Sequence, residues 1–197
     1  GRIELVRGPG SALYGANAFN GVMNISSIKP KDVTGTRINI TAGESESYRS
    51  DIRFSNTVGR LSYRTMLGGY QGKSFVTSRK NYNFEYKGLT ALNNEQIDVS
   101  KDAIRSIYGS MRIDYELDEK SFVTGEGGYT QVENETIVTG IGRVQVQKAS
   151  RPWMRFNYNG YGLNAMYWAN GRNNIEPEKA LATGLNLIQD AWIHNAE

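Results

Sequence analysis

Polar and apolar residues alternate along most of the chain from Thr34 onward, and this period of two constrains the fold more than any other feature. Successive side chains of a β-strand point to opposite faces, so alternation is typical of strands with one apolar and one polar face. In the first such segment, Ile38, Ile40 and Ala42 share a face. Further alternating segments contain Ile52, Leu67, Ile113, Val123, Phe156 and Leu163. The sequence therefore predicts an all-β protein with about seven or eight strands.

Short and long connections alternate between these segments. The pattern predicts short turns at residues 57–60, 117–120 and 159–160, the last being an Asn-Gly pair that is a strong hairpin signal. It predicts long connections at residues 71–103, 131–150 and 171–190. Outer-membrane β-barrels have short periplasmic turns and long outer loops, so the alternation is compatible with part of such a barrel. The short connection at residues 44–46 is an exception, since a long loop is expected there.

Composition limits the remaining classes. The chain of 197 residues has no cysteine, and its net charge of +3 is too small to indicate nucleic-acid binding. No apolar run approaches the roughly 18 residues that a membrane-spanning helix needs, so any membrane residence must be through strands. The first residues lack the pattern of a secretory signal, and we expect the chain to begin within a longer protein. Several tyrosines stand near strand ends and fit either interfacial girdles or ordinary strand positions: Tyr48, Tyr70, Tyr115, Tyr129, Tyr158 and Tyr161.

The first 30 residues follow a different pattern, punctuated by glycine. Residues 3–6 form a short apolar run typical of a buried strand, and the sequence Arg-Gly-Pro-Gly at residues 7–10 predicts a turn. Residues 11–14 fit one helical turn that Ser11 caps, and Gly15 is a natural terminator. A second strand is predicted at residues 21–25. Sharp turns and close packing explain most of the glycines as requirements of the backbone.

This order of elements resembles the stretch that closes the plug domain of TonB-dependent outer-membrane receptors. The matching positions are Glu4, Arg7, Gly8, Pro9, Tyr14, Gly15, Gly21 and Asn24. Asn20, where the family often has glycine, and the exit at residues 26–30 depart from the family pattern. The resemblance implies the C-terminal part of a plug domain at residues 1–30. It also implies the first strands of an incomplete transmembrane antiparallel β-barrel at residues 31–197.

The resemblance also implies a function, which is energy-coupled uptake of a scarce ligand across the outer membrane of a Gram-negative bacterium. The expected ligand is a ferric siderophore, with cobalamin, a sugar or a peptide as alternatives. The expected partners are outer-membrane lipid and the TonB inner-membrane complex, which engages a coupling segment absent from these residues. Arg7 fits either an ion pair between plug and barrel or a solvated charge, and a polar lumen favours the ion pair.

Ligand contacts in this family come from the plug apex and the outer loops. The connection after residue 71 combines cations with aromatic rings, which suit an anionic, ring-containing ligand such as a ferric chelate, although they suit ordinary loop packing almost as well. The candidate ligand-binding residues are Arg79, Lys80, Tyr82, Phe84 and Tyr86.

Two other function classes are open to the sequence. A soluble β-rich carbohydrate-binding module is the main alternative, with Trp153, Trp168 and Tyr167 as a stacking platform. Catalysis has little support, because His194 is the single histidine and has no nucleophile or carboxylate at a recognisable spacing. With no cysteine and no pair of histidines, we expect neither a metal site nor a cofactor.

Overall fold

The computed structural model describes residues 2–8, 21–44, 46–73, 85–86, 89–90, 103–140 and 142–197. Among these residues the structure has strands and one 3-10 turn, Pro30–Asp32. The strands are β1 (Arg2–Arg7), β2 (Gly21–Ser26), β3 (Gly35–Gly43), β4 (Ser47–Val58), β5 (Leu61–Lys73), β6 (Glu85–Tyr86), β7 (Leu89–Thr90), β8 (Ala103–Glu116), β9 (Ser121–Thr139), β10 (Gly142–Gly160), β11 (Leu163–Glu176), β12 (Glu178–Ala180), β13 (Asn186–Leu187) and β14 (Ala191–Ala196).

The strands form one large sheet and two small ones. The main sheet has ten strands, and its meander runs β3-β4-β5-β8-β9-β10-β11-β14. The short strands β12 and β13 extend the same sheet beside the N-terminal part of β10. Strand β1 pairs with β2, and β6 pairs with β7. All pairs are antiparallel, which confirms the predicted all-β, antiparallel fold class.

The main sheet has one apolar face and one polar face, which the strand register aligns across its width. On the apolar face, Ile38, Ile52 and Leu67 stand opposite one another, and the row continues through Gly109 to Tyr129. On the polar face, one row is formed by Arg64, Arg112, Glu126 and Arg155. A small apolar core of Val132, Val146 and Ala149 lies in the C-terminal half of β9 and the N-terminal half of β10.

Two predicted short turns are confirmed, and the third is displaced. Strands β4 and β5 meet at residues 59–60, and β8 and β9 meet at residues 117–120. The hairpin between β10 and β11 turns at Tyr161 and Gly162 rather than at Asn159 and Gly160. Tyr161 and Gly162 have φ of 53° and 78°, the positive angles of the two-residue turn that fits strand twist. The connection at residues 44–46 is short, as predicted.

The predicted long connection at residues 131–150 is wrong. Strands β9 and β10 stay paired almost to their tip, and each is 19 residues long. Polar residues there suggested a loop, but cross-strand pairs such as Glu133 with Lys148 stabilise the ladder. The connection at residues 171–190 is also partly wrong, because β11 continues to Glu176 and β12 and β13 follow. Within the part of the chain that is described, no helix has the length and apolarity to cross a membrane.

Candidate functional site

The segment from Ser27 to Asp32, called the strap below, crosses the polar face of the main sheet. Arg64 Nη1 donates a hydrogen bond of 2.7 Å to the Ile28 carbonyl. Arg112 Nη1 lies 3.0 Å from Ser27 Oγ. The strap therefore begins with contacts to both β5 and β8.

The second half of the strap is attached to the same face. The buried Ser55 hydroxyl donates a 2.8 Å hydrogen bond to the carbonyl of Pro30, which is itself buried. Lys31 Nζ lies 2.8 Å from Glu116 Oε1, and this partner raises the pKa of Lys31 above its ordinary value. Lys29 Nζ stands 5.6 Å from the centre of the Phe122 ring, within cation–π range. The strap thus contacts four strands, β4, β5, β8 and β9.

A cluster of buried charges lies beneath the strap. Arg112 is 9% exposed, and its Nε donates to Asp114 Oδ1 at 2.9 Å. Its Nη1 also lies 2.8 Å from Glu126 Oε1, in an ion pair whose angles do not suit a hydrogen bond. Arg155 Nη2 reaches the other oxygen of Glu126 at 2.9 Å. Thr124 donates to Asp114 at 2.9 Å. Charges buried to this degree are stable only when they are paired, so these contacts fix one another in place.

A cavity of about 440 Å³ opens between the strap and the turn that joins β8 to β9. Its lining carries four cations and four carboxylates: Lys29, Lys31, Arg112 and Lys120, and Asp114, Glu116, Asp118 and Glu119. Because cations and carboxylates are mixed on its walls, the cavity does not favour a ligand of either charge.

The short turns at this end of the sheet contact one another. The Tyr161 hydroxyl donates a 2.7 Å hydrogen bond to Asp118 Oδ2, which joins the turn after β10 to the turn after β8. This bond is the main cause that lowers the pKa of Asp118 and raises the pKa of Tyr161. Arg60 Nη1 donates to the Leu117 carbonyl at 2.9 Å and connects the turn after β4. The three turns therefore bind one another at this end of the sheet.

The opposite end carries a folded rim formed by residues 177–190. The Leu181 amide donates to the Arg143 carbonyl at 3.0 Å, and Arg172 forms an ion pair with the fully buried Glu178. The backbone amide of Asn174 donates a 2.7 Å hydrogen bond to Asp190 Oδ1, which joins the two ends of the segment between β11 and β14. Residues 177–190 are thus attached to β10 and β11.

The structure describes part of the predicted plug motif. Glu4 stands opposite Asn24, and Arg7 stands opposite Gly21, in the β1–β2 pair. Gly21 has φ of 150°, and a Cβ there would lie 2.6 Å from the Val6 carbonyl oxygen, so this position requires glycine. Gly8 has φ of 102°. No ion pair joins Arg7 to another described residue, and its pair with the barrel stays a prediction.

The other predicted residues fall on parts of the chain that are not described. Pro9, Tyr14, Gly15, Arg79, Lys80, Tyr82 and Phe84 lie outside the described residues. Tyr86 stands opposite Leu89 in the β6–β7 pair, where only the backbone is described. The proposed ligand contacts of the connection after β5 therefore stay predictions, as does the division of the chain at residue 30.

The stacking platform of the soluble alternative is not assembled. Trp153 and Trp168 belong to the polar face, whereas Tyr167 belongs to the apolar face, because neighbouring residues of a strand alternate. The Tyr167 hydroxyl instead lies 2.8 Å from Nδ1 of His194. The three rings therefore cannot contact one sugar together.

Sequence reasoning missed the strap and the charge cluster. In the sequence, residues 26–30 differ from the family pattern and give no signal of contacts with the main sheet. Alternation does place Arg64, Arg112, Glu126 and Arg155 on polar faces. Whether these four residues stand side by side in one row of the sheet depends on the strand register. A single sequence does not give the register when the turns are uncertain.

Comparison with known proteins shows a likeness of fold. No protein-family model matches the chain. Its fold is similar to that of a mutant ferric enterobactin receptor of Pseudomonas aeruginosa, with a TM-score of 0.54 and 15% identity. The match covers 98% of this chain and 31% of that receptor chain, so the chain spans about a third of the receptor's length. At this identity the likeness is one of fold: the chain has the antiparallel architecture of a receptor β-barrel segment.

Proposed function

We propose that this chain is the end of the plug and the first part of the barrel of a TonB-dependent outer-membrane receptor. The observation that carries the proposal is that the main sheet exposes its apolar face, whereas residues of its polar face are buried. Ile40 is 80% exposed and Leu67 is 57% exposed, whereas Arg112 and Ser55 on the opposite face are buried. A protein in water avoids large apolar surfaces, but a barrel in lipid requires an apolar outer face and a polar lumen.

The apolar face has the height that a bilayer needs. On β5 it runs from Leu61 to Gly69, which at about 3.4 Å per residue is roughly 27 Å along the strand. A strand tilt near 40° reduces this to roughly 20 Å, close to the ~25 Å apolar band of outer-membrane barrels. The next row on this face is polar: Gln71, Arg105, Glu133 and Lys148.

Tyrosines lie at both borders of this band. Tyr115 and Tyr158 share the row nearest the short turns, and Tyr48 and Tyr129 lie toward the other end of the apolar face. This placement suits interfacial girdles. Tyr70 does not fit the girdle, because it belongs to the polar face.

The position of the strap supports a plug within a lumen. In this proposal the short-turn end faces the periplasm, and the rim built from β9, β10, β12 and β13 faces the outside. The strap then lies on the luminal wall, where the chain passes from plug to barrel. The edge strands β3 and β14 each have one neighbour among the described strands, and further strands of a longer receptor would close the barrel.

The polar face supports an anionic ligand. Three successive rows of it carry five arginines against two carboxylates: Arg37, Arg53, Arg64, Arg112 and Arg155 against Asp114 and Glu126. An excess of cations attracts anions along a confined path. A ferric siderophore fits this chemistry, and the structurally similar receptor is named for ferric enterobactin. Cobalamin, a sugar and a peptide remain the competing ligands in the test.

Uptake in cells tests the proposal. The complete gene is deleted in its host and restored on a plasmid, and uptake of radioactive iron is measured with a panel of ferric chelates. We expect the deletion strain to lose uptake of at least one anionic chelate, and the plasmid to restore it only when the TonB complex is present. Unchanged uptake of every chelate, or a product that fractionates as a soluble protein, would contradict the proposal.

A further inference from the structure

We infer that the strap is a fixed anchor, so that the part of the plug that moves during transport ends before Ser27. This inference rests on the proposed function, since it divides a plug-and-barrel receptor into moving and stationary parts. Its basis is the backbone pairing of β1 and β2 and the row of contacts with the main sheet that begins at Ser27.

Before the strap, the chain belongs to a separate sheet. Among the described strands, β1 and β2 hydrogen-bond along their length to each other and not to the main sheet. Such a hairpin is able to shift as a unit without breaking the hydrogen-bond ladder of the wall.

From Ser27 onward, successive residues are attached to the wall. Ser27 contacts Arg112, Ile28 contacts Arg64, Lys29 contacts Phe122, Pro30 contacts Ser55 and Lys31 contacts Glu116. These attachments are spread over four strands, so movement of the strap requires that all of them break. Release would also break the 2.8 Å hydrogen bond from the buried Ser55 hydroxyl to the Pro30 carbonyl and leave the hydroxyl with only the Tyr63 carbonyl, 3.1 Å away.

The wall beneath the strap is itself held in place. Arg112 cannot follow a moving Ser27, because its guanidinium is bound to Asp114 and Glu126 in a buried cluster. Glu126 is bound in turn by Arg155 from the next strand. The strap therefore rests on a network that spans β8, β9 and β10.

Cross-linking in the complete receptor tests the anchor. The 197 residues contain no cysteine, and the side chains of Lys31 and Glu116 are each about half exposed, so thiols placed there are accessible. The variant Lys31→Cys/Glu116→Cys is treated with a short bis-maleimide in cells, and uptake of the transported ferric chelate is measured. The single variants Lys31→Cys and Glu116→Cys, treated in the same way, control for modification and for loss of the ion pair.

We expect uptake by the cross-linked receptor to stay within 2-fold of that of the single variants. A loss of 10-fold or more that appears only after cross-linking would overturn the fixed anchor, because it would show that the strap must leave the wall. If the unmodified receptor itself shows no TonB-dependent uptake, the proposed function fails instead, so the two failures are distinguishable.

Discussion

The indole ring of Trp153 on β10 lies across Gly128, its register partner on β9. A Cβ at position 128 would lie 2.6 Å from Cε2 of this ring. The same relationship joins Tyr108 to Gly68, and Trp192 to Gly171. Aromatic rings that cover cross-strand glycines bury the exposed backbone and fix the register of the strands.

The substitution Gly128→Ala tests this packing. Its methyl group would displace the Trp153 ring, and overpacking of this kind costs about 1–3 kcal/mol of unfolding free energy. The midpoint of guanidinium unfolding of the purified receptor in detergent measures the effect.

Gly125→Ala on the same strand is the matched control. Nothing lies within 4 Å of a Cβ at position 125, so we expect its stability to be unchanged or slightly raised. Equal midpoints for the two variants would show that Trp153 does not depend on the glycine beneath it.

Removal of the Glu126 charge is expected to destabilise the sheet. Glu126 pairs with the buried Arg112 and with the partly exposed Arg155, and the substitution Glu126→Gln leaves both guanidinium groups without this carboxylate. Breaking a fully buried pair costs about 3 kcal/mol or more, and we expect a smaller loss here because Arg112 keeps Asp114. The variant should unfold at a clearly lower guanidinium concentration.

Glu133→Gln controls for the general loss of a carboxylate on β9. Its pair with Lys148 is 3.2 Å long and partly exposed, so a change below about 1 kcal/mol is expected. A larger effect at position 133 than at 126 would contradict the importance of the buried cluster.

The hairpin between β10 and β11 shows how much the sequence could predict. The Asn-Gly signal misplaced its turn by two residues, yet Phe156, Tyr158 and Leu163 lie on the predicted face. A shift of two residues preserves faces because the side-chain period of a strand is also two. The all-β class and the apolar face were thus predictable even where the turn was wrong.

The contacts between distant segments were not predictable. Ser27 and Arg112 are 85 positions apart, and their contact depends on the register of every strand between them. The β9–β10 extension was missed for a local reason, because paired charges such as Glu133 and Lys148 look like loop residues in a single sequence.

The bond between Tyr161 and Asp118 gives a pH dependence with a definite sign. Because the pKa of Asp118 is lowered, this carboxylate stabilises the folded state fully at pH values above its ordinary pKa of 3.8. That stabilisation is lost as the pH falls through the lower pKa of the folded state. The raised pKa of Tyr161 means that the bond persists below 10.0 and is lost as the pH rises through the higher folded value. The bond therefore stabilises the turns between about pH 4 and 10.

The substitution Tyr161→Phe isolates this bond. We expect the stability difference between the receptor and this variant to be constant from about pH 5 to 9 and to shrink on both sides of that range. Guanidinium unfolding across the pH series provides the measurement. A difference that is independent of pH throughout would show that the hydroxyl has no such partner.

The connection after β5 carries the predicted ligand contacts. Combined substitution of Arg79, Lys80 and Tyr82 by alanine in the complete receptor should weaken binding of an anionic ferric chelate about 10-fold or more, since charge and ring contacts are lost together. Direct titration of the purified receptor measures the affinity, with Lys148→Ala as a control for the loss of one cation elsewhere. Unchanged affinity would remove these three residues from the ligand site.

The apolar face provides the sharpest distinction between a membrane barrel and a protein in water. Met111 lies near the middle of this face and is 47% exposed, so an arginine there would be harmless in water. In lipid, arginine at the midplane costs about 2–4 kcal/mol, whereas near the interface it costs about 0–1 kcal/mol. We therefore expect Met111→Arg to reduce the amount of folded receptor in the outer membrane, and Gln71→Arg, where the same face turns polar, to leave it nearly unchanged. The folded fraction is read from the band that changes mobility on heating in gel electrophoresis. Equal folded fractions for the two variants would mean that Met111 faces water, and the barrel proposal would then fail.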